Sequence, residues 1–247
     1  MVELDRSLIC KGCWSQMHMP IPIRGPLSLP FKLVGITTSK MNPNICTICE
    51  RAFARVKKTK QITVQTTILF ADIRGYTRLS ERVGAAEVAS LLSVFHDECA
   101  TAIWAQDGIV NKAMGDGLMA IFNFPIPIDD HPREALVAAL SIQEQCTRNL
   151  AKLKDELELT GSEIGVGVGL HSGEVAIGEF SGFATDFTAI GSVVNQAARL
   201  ESSAAAGEIL MTEEVYRHAR DLCGAAEHRS ISIKGFSDAV DVFALRN

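Results

Sequence analysis

The sequence predicts an α+β protein whose core runs strand–helix–strand–strand–helix–strand, preceded by a mostly irregular N-terminal arm. Three observations carry that reading. From Gln65 onward, short apolar runs alternate with long stretches of helical period. A Gly115-Asp116-Gly117 turn divides one apolar run into a hairpin. Residues 1–63 share neither pattern, and charge divides at the same boundary. This arm holds ten Lys/Arg against three Asp/Glu while residues 64–247 hold 14 against 26, so a +7 arm precedes a −12 body.

The arm concentrates residues that shape loops. Four of the seven cysteines fall within the first 49 residues and five of the eight prolines within the first 43. The run from Pro20 to Pro30 is expected to lie extended over a surface. Ile48 to Lys60 supports one short helix, ending in a solvated basic cluster of Lys57, Lys58 and Lys60. Two Cys-x-x-Cys pairs, Cys10/Cys13 and Cys46/Cys49, carry the ligand chemistry of a tetrahedral structural zinc site. The 32 residues between the pairs exceed zinc-ribbon spacing, and reduced cysteines packing a loop-rich arm satisfy the same pattern. An odd cysteine count argues against a disulfide framework, and no βαβ pattern surrounds either pair to suggest a redox motif.

The body follows in order. Thr66–Ala71 is a buried strand by length and composition, closed by Asp72 and the turn Arg74-Gly75-Tyr76-Thr77. Val88, Leu91, Leu92, Phe95, Cys99 and Ile103 mark one face of a helix that Asp107-Gly108 ends. Gly108–Phe124 reads as a hairpin, and Arg133 to about Leu157 as a second amphipathic helix with Pro132 near its start. Ile164–Phe180 reads as two strands around Ser172-Gly173. A helix from about Ser192 to Ser202, a strand near Glu208–Met211 and a helix near Glu213–Ala219 come next. Ser230–Lys234 and Val240–Leu245 close the chain as a strand pair. Stripped of additions, this is the split βαβ order of ferredoxin-like folds.

At 47% hydrophobic and 21% charged residues the composition is that of a globular chain and excludes a disordered one. No apolar run reaches the roughly 18 residues of a membrane span, and the first residues lack a secretory signal pattern, so a cytoplasmic location is expected. The basic arm has few aromatics (Trp14, Phe31, Phe53) and no nucleic-acid-binding module, so no nucleic-acid partner is expected.

Asp72 at a strand end and Asp116 at a hairpin tip put two carboxylates where a two-metal phosphoryl site needs them; each alone is equally a helix cap or a turn residue. The turn Ile73–Thr77 offers backbone N–H groups to phosphate oxygens. Lys112 is a charge within a strand, and Asn195 and Arg199 share a helical face at i, i+4. Read in order, ILFADIRGYT, NKAMGDGLMAIF, GLHSGEVAIG, FTAIGSVVNQAARLES and ISIKG resemble successive signatures of class III nucleotide cyclases, the adenylate/guanylate cyclase catalytic domain, from about Thr66 to Leu245.

The resemblance implies roles. Asp72 and Asp116, with the Ile73 carbonyl, would bind two Mg²⁺ or Mn²⁺ ions. Arg74, Gly75, Tyr76 and Thr77 would hold the phosphates, and Lys234 would contact the β- and γ-phosphates. Lys112 and Thr188 match the base-reading positions in a Lys/Thr combination that favours ATP, while Asn195 and Arg199 would orient the ribose and stabilise the transition state. It further implies an adenylate cyclase making 3′,5′-cyclic AMP and pyrophosphate by two-metal catalysis, as a homodimer whose sites are shared between subunits. The alternatives are a guanylate cyclase and a nucleotide-binding domain without turnover. One departure stands out: Gly167 occupies a place where many relatives carry an Arg, so a phosphate contact must be lost or come from elsewhere. Gly165, Gly167 and Gly169 alternate along a thin strand made for close backbone approach.

Overall fold

The computed structural model describes residues 7–50, 62–156, 164–179, 187–231 and 239–246. Its centre is the expected core: β1 (Ile62–Arg74), α3 (Tyr76–Ser80), α4 (Ala85–Ala105), β2 (Ile109–Met114), β3 (Gly117–Phe122), α5 (His131–Glu156) and β4 (Gly165–Glu179). Then follow β5 (Phe187–Ile190), α6 (Ser192–Ser203), β6 (Glu208–Thr212), α7 (Glu213–His218), β7 (Glu227–Ile231) and β8 (Val240–Arg246). The described strands form one sheet in the order β2-β3-β1-β4-β6-β8-β7, with β5 paired to β4. The first four positions of that order give the ferredoxin-like arrangement.

Both faces of the sheet are covered, and β1 shows how. Leu69, Ala71 and Ile73 point to one side and join the buried stripe of α4 (Leu91, Phe95, Cys99, Ile103) and that of α5 (Leu136, Ala139, Ile142). Ile68 and Phe70 point to the other, where they meet Met119, Ile121, Val175, Ile177, Val193 and Ala197 together with arm residues Ile21, Ile23 and Ile45. The strict alternation of strand side chains makes this division. Full burial of each such aliphatic chain contributes about 1.5–3 kcal/mol. Among the described residues no helix is long and apolar enough to cross a membrane.

Among its described residues the arm is largely irregular, as expected, with short helices α1 (Lys11–Met17) and α2 (Leu29–Leu33) besides helical residues 47–50. It is fastened at the start of β2. The Met41 carbonyl accepts from the Val110 N–H at 2.9 Å and from Trp104 Nε1 at 2.7 Å. Asn42 Nδ2 donates to the Gly108 carbonyl at 2.7 Å, and Lys11 Nζ pairs with Asp107 at 2.8 Å.

Three expectations change. The stretch 165–179 is one continuous strand, paired residue by residue with β1, rather than two strands around Ser172-Gly173. Gly173 sits there for room: a Cβ would lie 2.8 Å from Val193 Cγ2. The proline-rich run is extended only at its start, because Pro26 and Pro30 take first-turn positions of a 3₁₀ turn and of α2, where no N–H is needed. Residues 47–50 are helical, while the remainder of the helix expected to Lys60 lies outside the described residues.

Candidate active site

The two carboxylates converge at one end of the central strands. Asp72 lies opposite Gly117 in the β1–β3 register, and a Cβ at Gly117 would stand 2.9 Å from Asp72 Oδ2. The Ile73 N–H donates to the Asp116 carbonyl at 3.0 Å and ties the hairpin tip to the end of β1. Gly75, at φ +75°, turns the chain from β1 into α3 in a conformation glycine adopts without strain. An open cavity of about 440 Å³ results, lined by residues 72–78 and Asp116. Burial, then the charges of Glu201 and Asp116, push the Asp72 carboxyl up to about 6 against the opposing pull of Arg74. Mutually repelling oxygen donors facing an open cavity fit a hard divalent cation.

Arg74 does not extend into that cavity alone. Its guanidinium donates to the Glu201 carbonyl and to Glu201 Oε1, and reaches Asp72 Oδ1 at 3.5 Å. It lies directly over Gly167, where any Cβ would overlap it. The space that an arginine at position 167 would need is therefore filled by the arginine at position 74. Glu201 is a residue that sequence reasoning missed. Burial pushes its carboxyl up, partly offset by Arg74. Its signal was an acid in register with the apolar stripe Val193–Ala197 of α6, four residues further on. Its backbone also explains Gly169, whose Cβ would collide with the Glu201 N and the Ala197 carbonyl.

The remaining site residues stand apart. Lys112 is half-buried on β2, just past a bulge between Val110 and Lys112. Thr188 on β5 donates from Oγ1 to Asn111 Oδ1 at 3.2 Å, which ties it to the residue next to Lys112, one that the sequence did not single out. Asn195 is exposed and Arg199 half-buried on α6. None of these four lines the cavity that gathers Asp72, Ile73, Arg74–Thr77 and Asp116. Lys234 lies outside the described residues. In the arm, the Sγ atoms of Cys10, Cys13, Cys46 and Cys49 all lie within 4.8 Å of one another.

Paired carboxylates at the end of a ferredoxin-like sheet, beside an open cavity, fit a two-metal phosphoryl-transfer site. The chain belongs to the family described as the adenylate and guanylate cyclase catalytic domain, whose model matches residues 58–247. It is 31% identical over 217 residues to an adenylate cyclase of Anabaena cylindrica, covering 83% of this chain and 41% of the relative. A Rhizobium meliloti adenylate cyclase is 27% identical over 183 residues, 72% of this chain and 27% of the relative. The chain thus spans well under half the length of these curated relatives. Among solved structures, the guanylyl cyclase Cya2 superposes with TM-score 0.68 at 26% identity, covering 74% of this chain and 92% of that one. The adenylyl cyclase CyaB from P. aeruginosa gives 0.66 at 27%, covering 76% and 96%.

Proposed function

We propose that this chain is a cytoplasmic adenylate cyclase that works as a homodimer, with residues 64–247 as its catalytic domain. The observation that supports the shared site best is the separation within one chain. The cavity takes in the metal and phosphate residues, while Lys112, Thr188, Asn195 and Arg199 lie outside it. A two-fold partner in head-to-tail orientation brings the second set over the first. Asp72, Asp116 and the Ile73 carbonyl would hold two Mg²⁺ or Mn²⁺ ions, which would supply charge neutralisation for the triphosphate and ease loss of the ribose 3′-hydroxyl proton.

The chain's own residues do the rest. The backbone of Arg74–Thr77 cradles the phosphates, and Lys234 contacts the terminal ones. Lys112 donates to the base, and Thr188 accepts from an adenine amino group when its hydroxyl turns from Asn111. Asn195 orients the ribose. The 3′-hydroxyl gives its proton to solvent water, and its oxygen bonds to the α-phosphorus as the bond to the pyrophosphate oxygen breaks. Arg199 balances the charge that grows there, a preorganised contribution worth about 10²–10³-fold in rate.

Mixing Asp72→Ala with Arg199→Ala tests the shared site. Each variant alone is expected to lose activity by at least about 10²-fold, and the mixture to recover part of it. Exchange of subunits without recovery overturns the shared site. Comparing ATP, GTP, CTP and UTP with Mn²⁺ tests the substrate. Preference for GTP, the nucleotide acted on by a guanylyl cyclase such as Cya2, replaces the adenylate reading, and no product from any replaces it with nucleotide binding alone.

A further inference from the structure

We propose that Cys10, Cys13, Cys46 and Cys49 bind one zinc ion, and that the arm held by this ion pins the start of β2, the strand that carries Lys112. The geometry of the four sulfurs is the first argument. Cys13–Cys49 stand 3.3 Å apart, Cys10–Cys49 and Cys13–Cys46 3.5 Å, and Cys46–Cys49 3.9 Å. Four thiolates at about 2.3 Å from one tetrahedral ion stand about 3.8 Å from each other. A disulfide would need about 2.05 Å, which no pair approaches. A polynuclear iron–sulfur cluster distributes its cysteines over several irons and needs a wider cage.

The surroundings are those of a closed site. All four cysteines are buried, the most exposed at 4%. Cys10 Sγ accepts the N–H groups of Cys13 at 3.3 Å and Cys46 at 3.2 Å, bonds that favour a thiolate and join the two Cys-x-x-Cys turns. Between the paired cysteines, Gly12 leaves room: a Cβ there would lie 3.0 Å from Cys49 Sγ. Four thiolates with no open position make a structural site rather than a catalytic one.

The long spacing between the pairs acquires a use. The intervening segment carries Ile21, Ile23 and Ile45 onto the sheet and delivers Met41 and Asn42 to Gly108 and Val110. Closing the loop at its two ends by one ion lowers the entropic cost of ordering it. The bonds it makes end two residues before Lys112, at the bulge between Val110 and Lys112.

The importance given to Lys112 rests on the cyclase reading; the test does not, because neither measurement uses catalysis. Tag-free protein of residues 1–247 is analysed for metals, then stripped and loaded with Co²⁺ as a spectroscopic probe. The expected result is about one zinc per chain and, with Co²⁺, the charge-transfer spectrum of a tetrahedral thiolate site. Iron in its place, or protein that folds without metal and gives no thiolate spectrum, overturns the site. Cys46→Ser is expected to abolish metal uptake and Cys223→Ser, in the opposite core, to retain it; equal uptake by both overturns the assignment. For the clamp, amide exchange is compared in zinc-loaded and stripped wild-type protein. Val110 is expected to exchange at least about tenfold faster without zinc, with Val168 on β4 unchanged. Unaltered exchange at Val110 overturns the clamp while leaving the metal site and the cyclase reading standing.

Discussion

One face of the sheet is covered by two long helices and the other by an irregular arm with α6. The helices carry their own order: each has a continuous apolar stripe and a closed ladder of backbone bonds, so burial needs only to dock them. The described part of the arm has only short helical segments and borrows its order from elsewhere, through bonds to the start of β2, apolar residues inserted into the sheet and a compact thiol cluster. Burial of the two faces is thus reached by different means. The helical face is stable by local structure plus packing; the arm face only by long-range contacts that must form together.

Removing residues 1–45 breaks the comparison most severely. It uncovers Ile68, Phe70, Met119 and Ile121, whose burial at about 1.5–3 kcal/mol each rivals the roughly 5–15 kcal/mol stability of a whole domain. The truncated chain is expected to aggregate or unfold, as read by size-exclusion chromatography and circular dichroism. A folded monomer of unchanged Tm would make the arm a passenger.

Adjacent residues on β1 sharpen the comparison. Ile68 and Leu69 are both fully buried, on opposite faces. Substituting either by Ala is expected to cost about 2–5 kcal/mol. Stripping metal should add independently to Leu69→Ala and non-additively to Ile68→Ala, because only the second shares neighbours with the arm. Denaturant unfolding of the two variants, loaded and stripped, measures the coupling.

The smallest effect concerns β6, which both coverings share. Glu208, 2% exposed, accepts from Arg229 at 2.7 Å, Arg246 at 3.1 Å and the Ala205 N–H at 2.9 Å. Burial alone would raise its carboxyl, but these donors outweigh it and hold it below the usual carboxylate value. Such a group contributes stability above the unfolded-state value of about 4.3 and loses it as pH falls through the lower folded one. Glu208→Gln is expected to cost about 1.5–3 kcal/mol at pH 7, with the difference from wild type shrinking below about pH 4. A Tm difference that does not vary with pH would assign the loss to packing.

Sequence patterns were most informative where structure is local. The apolar stripe from Leu91 to Ile103 and the Gly115-Asp116-Gly117 turn each encode an element through periodicity or turn chemistry, and both are found where expected. Ser172-Gly173 misled because glycine serves two ends, turning a chain and making room; in β4 it makes room for Val193. Within the candidate site, Asp72 and Asp116 were legible from their places at a strand end and a hairpin tip. Glu201 and Asn111 were not, since each acts through a neighbour distant in sequence: Glu201 through Arg74 and Asn111 through Thr188.

By itself the sequence determined the α+β core with its two long helices, the hairpin at Gly115-Asp116-Gly117 and the family to which residues 58–247 belong, but neither the single strand over 165–179 nor the strand Phe187–Ile190. The tertiary structure decided what covers each face, that two cysteine pairs with 32 residues between them meet as one cluster, and that Arg74 fills the space above Gly167. Periodicity records that a side chain is buried, because burial repeats with the geometry of the element. It does not record the partner, because that depends on where the chain returns in space.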